Sequence, residues 1–250
     1  MSRGVGITEF IREFAPEGFN AVGRLLALPG DIEIAALVIA VIFAAGVRQQ
    51  VRTGKGDRLC SKRTIALIAV VFGGLSLAIV LKGAFGLPRP PVELQATPRS
   101  GSGFPSGHTM TATVLWGALA LWGRIWTRRG RWTMAAVLVS VVGFSRLALG
   151  VHYLVDVLAS VAFALAYLYA MWTAVRADAM RAFAIAMVLS VLAAVFSGGS
   201  TDGILALVGT VGFFIGWRVA EHETVRQRVF PVAAELERRV PSWSSARIED

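Results

Sequence analysis

Two histidines in this sequence stand beside residues that could make an imidazole reactive. His152 precedes Asp156 by four positions, so on a helix their side chains would lie on one face, one turn apart. A carboxylate placed there accepts a hydrogen bond from one ring nitrogen and leaves the other nitrogen as a nucleophile. His108 follows Ser106 and Gly107 in a turn that could bind an anion. The pattern therefore indicates a nucleophile and an acid.

Three cations stand near the ends of apolar runs: Lys82, Arg89 and Arg146. A charge at membrane depth costs about 2.5–3.5 kcal/mol on insertion scales, although each side chain alone could extend to the headgroups. Lys82 and Arg89 are seven positions apart, so they share a face if the helix continues to Arg89. The arginine forks match phosphate oxygens and the lysine supplies a point charge. Together the three cations favour a dianion such as phosphate.

The tetrapeptide Pro105-Ser106-Gly107-His108 comes directly before an apolar run. Gly107 permits close backbone approach, and Ser106 with the free N–H groups of a helix start would form a cradle for an anion. Taken without its neighbours, Gly107 is equally consistent with an ordinary turn.

The composition predicts a membrane protein. Of 250 residues, 55% are apolar and 16% are charged, and the mean hydropathy is +0.63. Soluble domains carry about 25% charged residues. Three uncharged runs contain 18, 19 and 20 residues, and a membrane-spanning helix needs about 20. Disorder and a soluble globule are excluded, and an all-α, polytopic transmembrane helical bundle of six to seven spans is predicted. The spans are expected near residues 32–47, 63–85, 109–126, 132–149, 154–175, 181–198 and 203–219.

The basic residues predict the orientation of this bundle. The net charge is +9, and Arg48–Arg63 and Arg124–Arg131 hold six and four basic residues, respectively, against one acid in the first. Because these loops lie between apolar runs, they indicate the cytoplasmic side and not a nucleic-acid surface. We therefore expect a multi-pass protein of the cell membrane whose candidate site is extracytoplasmic and whose C-terminal tail is cytoplasmic.

Three segments follow from this pattern. Residues 1–30 are predicted to be an amphipathic interfacial segment, because charged residues and Pro16 interrupt the apolar positions of Ile7–Leu28. Residues 31–220 would form the transmembrane domain, and residues 221–250 the cytoplasmic tail.

In chain order, the chemically active positions are Lys82, Arg89-Pro90, the Pro105–His108 tetrapeptide, Ser145-Arg146, His152 and Asp156. This order and spacing resemble the tripartite signature of the type 2 phosphatidic acid phosphatase (PAP2) superfamily, which also includes vanadium haloperoxidases and bacterial acid phosphatases. All eleven specified positions match. Membrane members usually have six spans with three before the first motif, whereas this chain has two clear spans there plus its N-terminal stretch. The resemblance implies a PAP2-type catalytic core in residues 31–220.

The resemblance also implies roles for these residues. His152 would attack phosphorus and form a phosphohistidine, with Asp156 holding its imidazole. His108 would protonate the leaving oxygen and then activate water. No cofactor and no metal are implied, and Ser145 is given no chemistry. The phosphoryl oxygens would be held by Lys82, Arg89, Ser106, Gly107 and Arg146.

A site at the membrane boundary suits a headgroup whose tail stays in lipid, so we expect a membrane lipid as the substrate and no nucleic acid as a partner. The candidates are phosphatidic acid, phosphatidylglycerol phosphate and a polyprenyl diphosphate. Two alternatives remain open: a lipid phosphotransferase that uses the same phosphohistidine, and a non-catalytic phospholipid-binding or transport protein. Haloperoxidase chemistry is disfavoured because those relatives are soluble. The sequence does not indicate an oligomeric state.

Overall fold

The computed structural model describes residues 5–14, 19–53 and 58–239, and within them the chain forms helices and loops without a β-strand. The all-α prediction is confirmed. Pro16, residues 54–57 of the first basic loop and tail residues 240–250 lie outside the described residues. The helices are α1 (Val5–Glu13), α2 (Phe19–Ala27), α3 (Ile32–Thr53), α4 (Lys62–Phe85), α5 (Gly107–Trp122), α6 (Arg128–Ala148), α7 (Leu154–Ala177), α8 (Ala179–Phe196), α9 (Thr201–Glu221) and α10 (Glu223–Arg239), with 3₁₀ turns at Leu28–Gly30 and Val92–Leu94.

Each of the seven predicted spans coincides with a helix, α3 to α9. In the described parts of the chain, five stretches are long and apolar enough to cross a membrane: Phe19–Thr53, Lys62–Phe85, Arg128–Ala148, Leu154–Arg176 and Thr201–Glu221. The first joins α2, the turn at Leu28–Gly30 and α3. The other two, α5 and α8, contain 16 and 18 residues and are shorter than the roughly 20 that cross a bilayer. The third span was predicted to end at residue 126, four residues too late, because Gly123 is extended and ends α5 at Trp122.

Polar and glycine residues set the ends of α4 and α6. The hydroxyl of Ser61 accepts a hydrogen bond from the Thr64 N–H, and that of Thr127 accepts one from the Gly130 N–H. An N-cap oxygen of this kind satisfies one of the N–H groups that a helix start leaves unpaired. Gly86 follows α4 with a φ of 56°, a left-handed conformation that favours glycine. These capping residues help to set the positions of α4 and α6, whose last turns carry Lys82 and Arg146.

Helix α4 lies at the centre of the bundle and packs against α5, α7, α8 and α9. Its close approach to these neighbours depends on two glycines. A Cβ at Gly73 would overlap the Tyr167 hydroxyl, and a Cβ at Gly74 would overlap a methyl group of Val114. The Tyr167 hydroxyl also donates a 2.7 Å hydrogen bond to the Val70 carbonyl. The core around this contact includes Ile68, Val71, Met110, Leu115, Leu168, Met171 and Phe183.

Two arginines from the predicted cytoplasmic loops bind the C-terminal end of α5. Arg63 Nε donates to the Trp122 carbonyl at 2.6 Å, and Arg131 Nε donates to the Ala120 carbonyl at 3.1 Å. Cations are favourable there because the last carbonyl groups of a helix carry partial negative charge. Since Arg63 begins α4 and Lys82 lies in its last turn, the basic loops and the Lys82 region occupy opposite ends of the bundle.

The N-terminal segment packs on the bundle at the Lys82 end. The short helices α1 and α2 contact α6, while the Leu28–Gly30 turn contacts α5 and α6. The buried Thr8 hydroxyl lies 3.5 Å from the His152 carbonyl oxygen. A Cβ at Gly23 would lie 2.9 Å from Leu149 Cδ2. The segment therefore contributes a wall to this end of the molecule, and its interfacial position in the membrane stays a prediction.

The glycine contact in α4 makes a prediction about stability. Gly73→Ala should destabilise the protein by about 1–3 kcal/mol, the range for overpacking a close-packed interior. A thermal unfolding curve in detergent measures this as a lower Tm. Gly212→Ala in α9 is the matched control, because an added Cβ there meets no atom within 4 Å. Equal Tm values for both variants would contradict the packing role of Gly73.

Candidate active site

A cavity of about 520 Å³ lies where the Lys82 end of the bundle meets the N-terminal segment. Its walls come from the start of α3, the end of α4, the start of α5, the end of α6 and the loop before α7. The structure brings six of the predicted site residues to its lining: Lys82, Arg89, Gly107, His108, Arg146 and His152. The other two, Ser106 and Asp156, are fully buried: Ser106 directly precedes Gly107, and Asp156 lies 3.5 Å from His152.

Lys82 extends from the last turn of α4 across the start of α5. Its Nζ donates a hydrogen bond to the Ser102 carbonyl at 3.2 Å. A Cβ placed on Gly107 would lie 3.2 Å from Lys82 Cε, closer than nearly all real contacts of that kind. A residue with a side chain at position 107 would therefore press on the lysine, which gives Gly107 a specific reason to be glycine.

Arg89 reaches the cavity from a loop and not from α4. Helix α4 ends at Phe85, so Arg89 does not share a helical face with Lys82. Arg89 Nη1 donates to the Val151 carbonyl at 3.1 Å, and Nε donates to the Ser100 carbonyl at 3.3 Å. Two loops thus fix the guanidinium, and its pKa is lowered by burial and by the charge of Arg99.

Arg146 lies in the last turn of α6 and is 3% exposed. Its Nε donates to the Ser145 hydroxyl at 3.2 Å, and Nη2 lies 3.4 Å from the Gly23 carbonyl oxygen. The Ser145 hydroxyl in turn donates to the Val142 carbonyl at 2.7 Å. Ser145, to which the sequence assigned no chemistry, therefore supports the orientation of Arg146.

His152 and Asp156 are paired, although His152 lies outside the helix. Tyr153 is the N-cap of α7, and Asp156 Oδ2 accepts a 2.9 Å hydrogen bond from its N–H. The same Oδ2 lies 3.5 Å from His152 Nδ1. Asp156 therefore both caps α7 and faces the imidazole at 3.5 Å, and a capping turn, not a common helical face, brings the two side chains together.

The tautomer of His152 follows from its second contact. Its Nε2 lies 3.2 Å from Arg89 Nη1. A guanidinium has only donors, so Nε2 is the acceptor and carries a lone pair, while the hydrogen resides on Nδ1 toward Asp156. The pKa of His152 is lowered to about 4, first by burial and then by the charges of Arg89 and Lys82, with Asp156 acting in the opposite direction. The imidazole is therefore neutral, with its lone pair on Nε2, over most of the pH scale.

Ser106 occupies the N-cap of α5, as the anion-cradle prediction requires, but its side chain has other contacts. The hydroxyl lies 3.0 Å from the Thr109 hydroxyl and is fully buried. Its N–H donates to the Asp156 carbonyl, and its carbonyl accepts from the Ser160 hydroxyl at 3.0 Å. These bonds join the start of α5 to α7, and a direct contact of Ser106 with phosphate stays a prediction.

His108 has a partner that the sequence did not indicate. Its Nε2 lies 2.8 Å from Asp31 Oδ1, and both side chains are about one quarter exposed. Asp31 follows the Leu28–Gly30 turn, far from the motif positions, so no spacing rule could have connected the two residues. Arg99 also lines the cavity from the loop after Val92–Leu94. No signal in the sequence distinguished Arg99 from an ordinary loop arginine.

Comparison with known proteins now bears on this geometry. A family model described as PAP2 superfamily matches residues 63–180. The match covers somewhat less than half of the chain. The resemblance carried by the motif residues is confirmed, since Lys82 to Asp156 lie within the matched residues. Asp31 and the whole N-terminal segment precede them.

The PAP2 fold is also found in a solved structure, described as the first transmembrane PAP2 type phosphatidylglycerolphosphate phosphatase from Bacillus subtilis. The alignment covers 68% of this chain and 82% of that one, at 23% sequence identity and a TM-score of 0.58. At this identity the likeness shows the fold. A search of curated proteins gave no match. Together with its apolar helices, the shared fold makes this chain a membrane protein.

The contacts of Arg146 with Ser145 and Gly23 orient its guanidinium group, and we expect this group to bind phosphate through its fork of N–H donors. Arg146→Lys keeps the charge but loses the fork, so affinity for inorganic phosphate should fall about tenfold or more. Titration calorimetry in detergent measures this change. The control is Arg131→Lys, because Arg131 binds carbonyl groups at the opposite end of the bundle. Unchanged phosphate affinity in Arg146→Lys would contradict a role for this fork.

Proposed function

We propose that this protein is a membrane-bound phosphatase that hydrolyses a lipid phosphate or diphosphate through a phosphohistidine intermediate. The observation that carries the proposal is the arrangement within one cavity. His152 lines this cavity with its Nε2 3.2 Å from Arg89 Nη1, and Lys82, Arg146 and His108 line the same cavity. Cations in this number favour a dianion, and a neutral imidazole beside them is suited to attack it.

The reaction divides into two transfers of one phosphoryl group. In the first, His152 Nε2 forms a bond to phosphorus while the bond to the leaving oxygen breaks, and His108 donates a proton to that oxygen. In the second, His108 takes a proton from water as the water oxygen attacks phosphorus, and the N–P bond breaks. Asp156 stabilises the positive charge that the His152 ring carries in the intermediate. The net change is the addition of one water molecule across a P–O bond.

The apolar part of the cavity supports a lipid substrate. Besides the cations, the lining contains Ile32 of α3 and Leu75, Ala78 and Ile79 of α4. A phosphate headgroup bound at Lys82 would place its hydrocarbon chain beside these residues and the surrounding membrane. The proposed substrates are therefore phosphatidic acid, phosphatidylglycerol phosphate or a polyprenyl diphosphate.

Charge distribution supports an extracytoplasmic cavity. The loops rich in arginine meet at the end of the bundle where Arg63 and Arg131 bind the terminal carbonyl groups of α5. Positively charged loops favour the cytoplasm, and the cavity lies at the other end of α4. The same rule places the C-terminal segment that follows α9 in the cytoplasm.

Phosphate release tests the proposal directly. Wild-type protein in detergent micelles should release phosphate from at least one of the candidate lipids with EDTA present, since the proposed chemistry uses only side chains. His152→Ala should lower this rate by a factor of about 10³ or more, because the nucleophile is lost. The matched control is His222→Ala, which removes an exposed histidine between α9 and α10. A chromatographic phosphate assay measures all three.

Trapping the intermediate separates hydrolysis from its alternatives. Rapid acid-free quenching with ³²P-labelled lipid should label the wild type and not His152→Ala. Labelled protein without phosphate release would identify a phosphotransferase awaiting an acceptor. Neither label nor release from the folded wild type on any candidate lipid would reject the enzyme and favour a phospholipid-binding protein.

The lowered pKa of His152 predicts the acid limit of activity. Protonation removes the Nε2 lone pair, and a pKa lowered to about 4 means that this occurs only as the pH falls through about 4. The acid limb of kcat/KM, corrected for ionisation of the phosphate substrate, should therefore have a midpoint near 4. An unperturbed histidine would give about 6.5. A corrected midpoint of 6 or above would contradict a buried neutral nucleophile.

A further inference from the structure

We propose that Asp31 is a positioning residue for His108, so that the cavity contains two histidine–carboxylate pairs. The inference rests on the proposed function, in which His108 donates a proton to the leaving oxygen. Asp31 precedes the residues that match the PAP2 model, and no motif position corresponds to it. The proposal gives the N-terminal segment a part in the reaction.

The contact itself has the geometry of a charge-assisted hydrogen bond. His108 Nε2 and Asp31 Oδ1 are 2.8 Å apart, within the range for an N–H donating to a carboxylate. An Nε2–H held by Asp31 leaves Nδ1 as the nitrogen that exchanges a proton with the substrate. The carboxylate thus fixes both the tautomer and the ring orientation of His108.

The chain holds Asp31 rigidly in this position. Its N–H donates to the Leu28 carbonyl at 2.9 Å, and the Pro29 carbonyl accepts a 2.9 Å hydrogen bond from Trp116 Nε1 of α5. A Cβ at Gly30 would overlap the carbonyl oxygen of His108. The turn therefore lies directly against the first turn of α5, so the carboxylate and the histidine are carried by surfaces in contact.

Electrostatics gives the pair a reason to exist. His108 must carry a proton to act as an acid, yet the positive charges of Arg146, Arg99 and Lys82 oppose its protonation. Positive neighbours and burial both disfavour an imidazolium. A carboxylate at 2.8 Å opposes them and stabilises the protonated ring at the moment when the leaving oxygen needs its proton. The pairing corresponds to that of Asp156 with His152, but its two members come from separate parts of the chain.

The test compares two substrates that differ in their need for an acid. The leaving group of dodecyl phosphate is an alkoxide, which requires a proton from an acid. The leaving group of a dodecyl-substituted nitrophenyl phosphate is a phenolate, which is stable without one. Asp31→Asn should lower kcat/KM about 30-fold or more for the alkyl substrate and less than about threefold for the aryl one, since general acid catalysis contributes about 10²–10⁴-fold. The ratio of the two losses is the readout.

Two controls separate positioning from folding. Glu33→Gln removes a carboxylate two residues away that also lines the cavity, and it should leave the ratio of alkyl to aryl rates unchanged. In a His108→Gln background, Asp31→Asn should cause no further loss on the alkyl substrate, because the group that it positions is absent. Equal losses on both substrates, or additive losses in the double variant, would overturn the proposal.

A measurement without turnover distinguishes failure of this inference from failure of the proposed function. The chain contains three histidines, and ¹⁵N-histidine NMR in micelles reports the tautomer of each. His108 should show a hydrogen-bonded Nε2–H that changes in Asp31→Asn and is retained in Glu33→Gln. An unchanged His108 signal in Asp31→Asn would reject the pairing, whether or not the protein hydrolyses any lipid.

Discussion

Burial of cations that hydrogen-bond largely to backbone carbonyl groups is the constraint on which this end of the molecule depends. Arg146 is almost fully buried, and Lys82 and Arg89 are partly enclosed. Much of the hydrogen bonding of these cations is to backbone carbonyl oxygens, from Ser102, Ser100, Val151 and Gly23. A carbonyl dipole satisfies an N–H donor and orients it, but it does not neutralise the charge. The cations are therefore oriented before an anion arrives, in a cavity whose lining also includes the carboxylates of Asp31, Glu33 and Asp202.

The helix ends explain how so many cations can be tolerated together. Lys82 and Arg146 occupy the last turns of α4 and α6, where the partial negative charge of the helix end favours a cation. The start of α5 forms an adjacent wall, and the free N–H groups of a helix start favour an anion. Two helix ends thus stabilise the protein's cations, and the start of α5 would favour an anion beside them. Topology alone brings these three helix termini to one side of the bundle.

The sequence was sufficient for features that depend on local order. Hydropathy located all seven long helices. It was less accurate where a loop replaces a helix. Gly86 ends α4 before Arg89, and Tyr153 begins α7 after His152, so both residues reach the cavity from loops. Spacing rules assume a continuous helix. They predicted that Arg89 lies near Lys82 and His152 near Asp156, but in the structure loops, and not shared helical faces, bring these residues to the cavity.

What the sequence could not reveal are the contacts of the N-terminal segment. Amphipathic character shows that a helix has an apolar face, but not whether lipid or protein covers that face. Here protein covers part of it, because Gly23 packs on Leu149 and Thr8 is buried against the chain at His152. The polar residues of the segment then fall on the site, with the Gly23 carbonyl at Arg146 and the Asp31 carboxylate at His108. The N-terminal segment, which its composition alone sets apart from the bundle, therefore contacts the cavity at both Arg146 and His108. Its packing is coupled to the geometry of the cavity, since displacing the turn at Leu28–Gly30 would move Asp31 away from His108, and displacing α2 would remove the Gly23 carbonyl from Arg146.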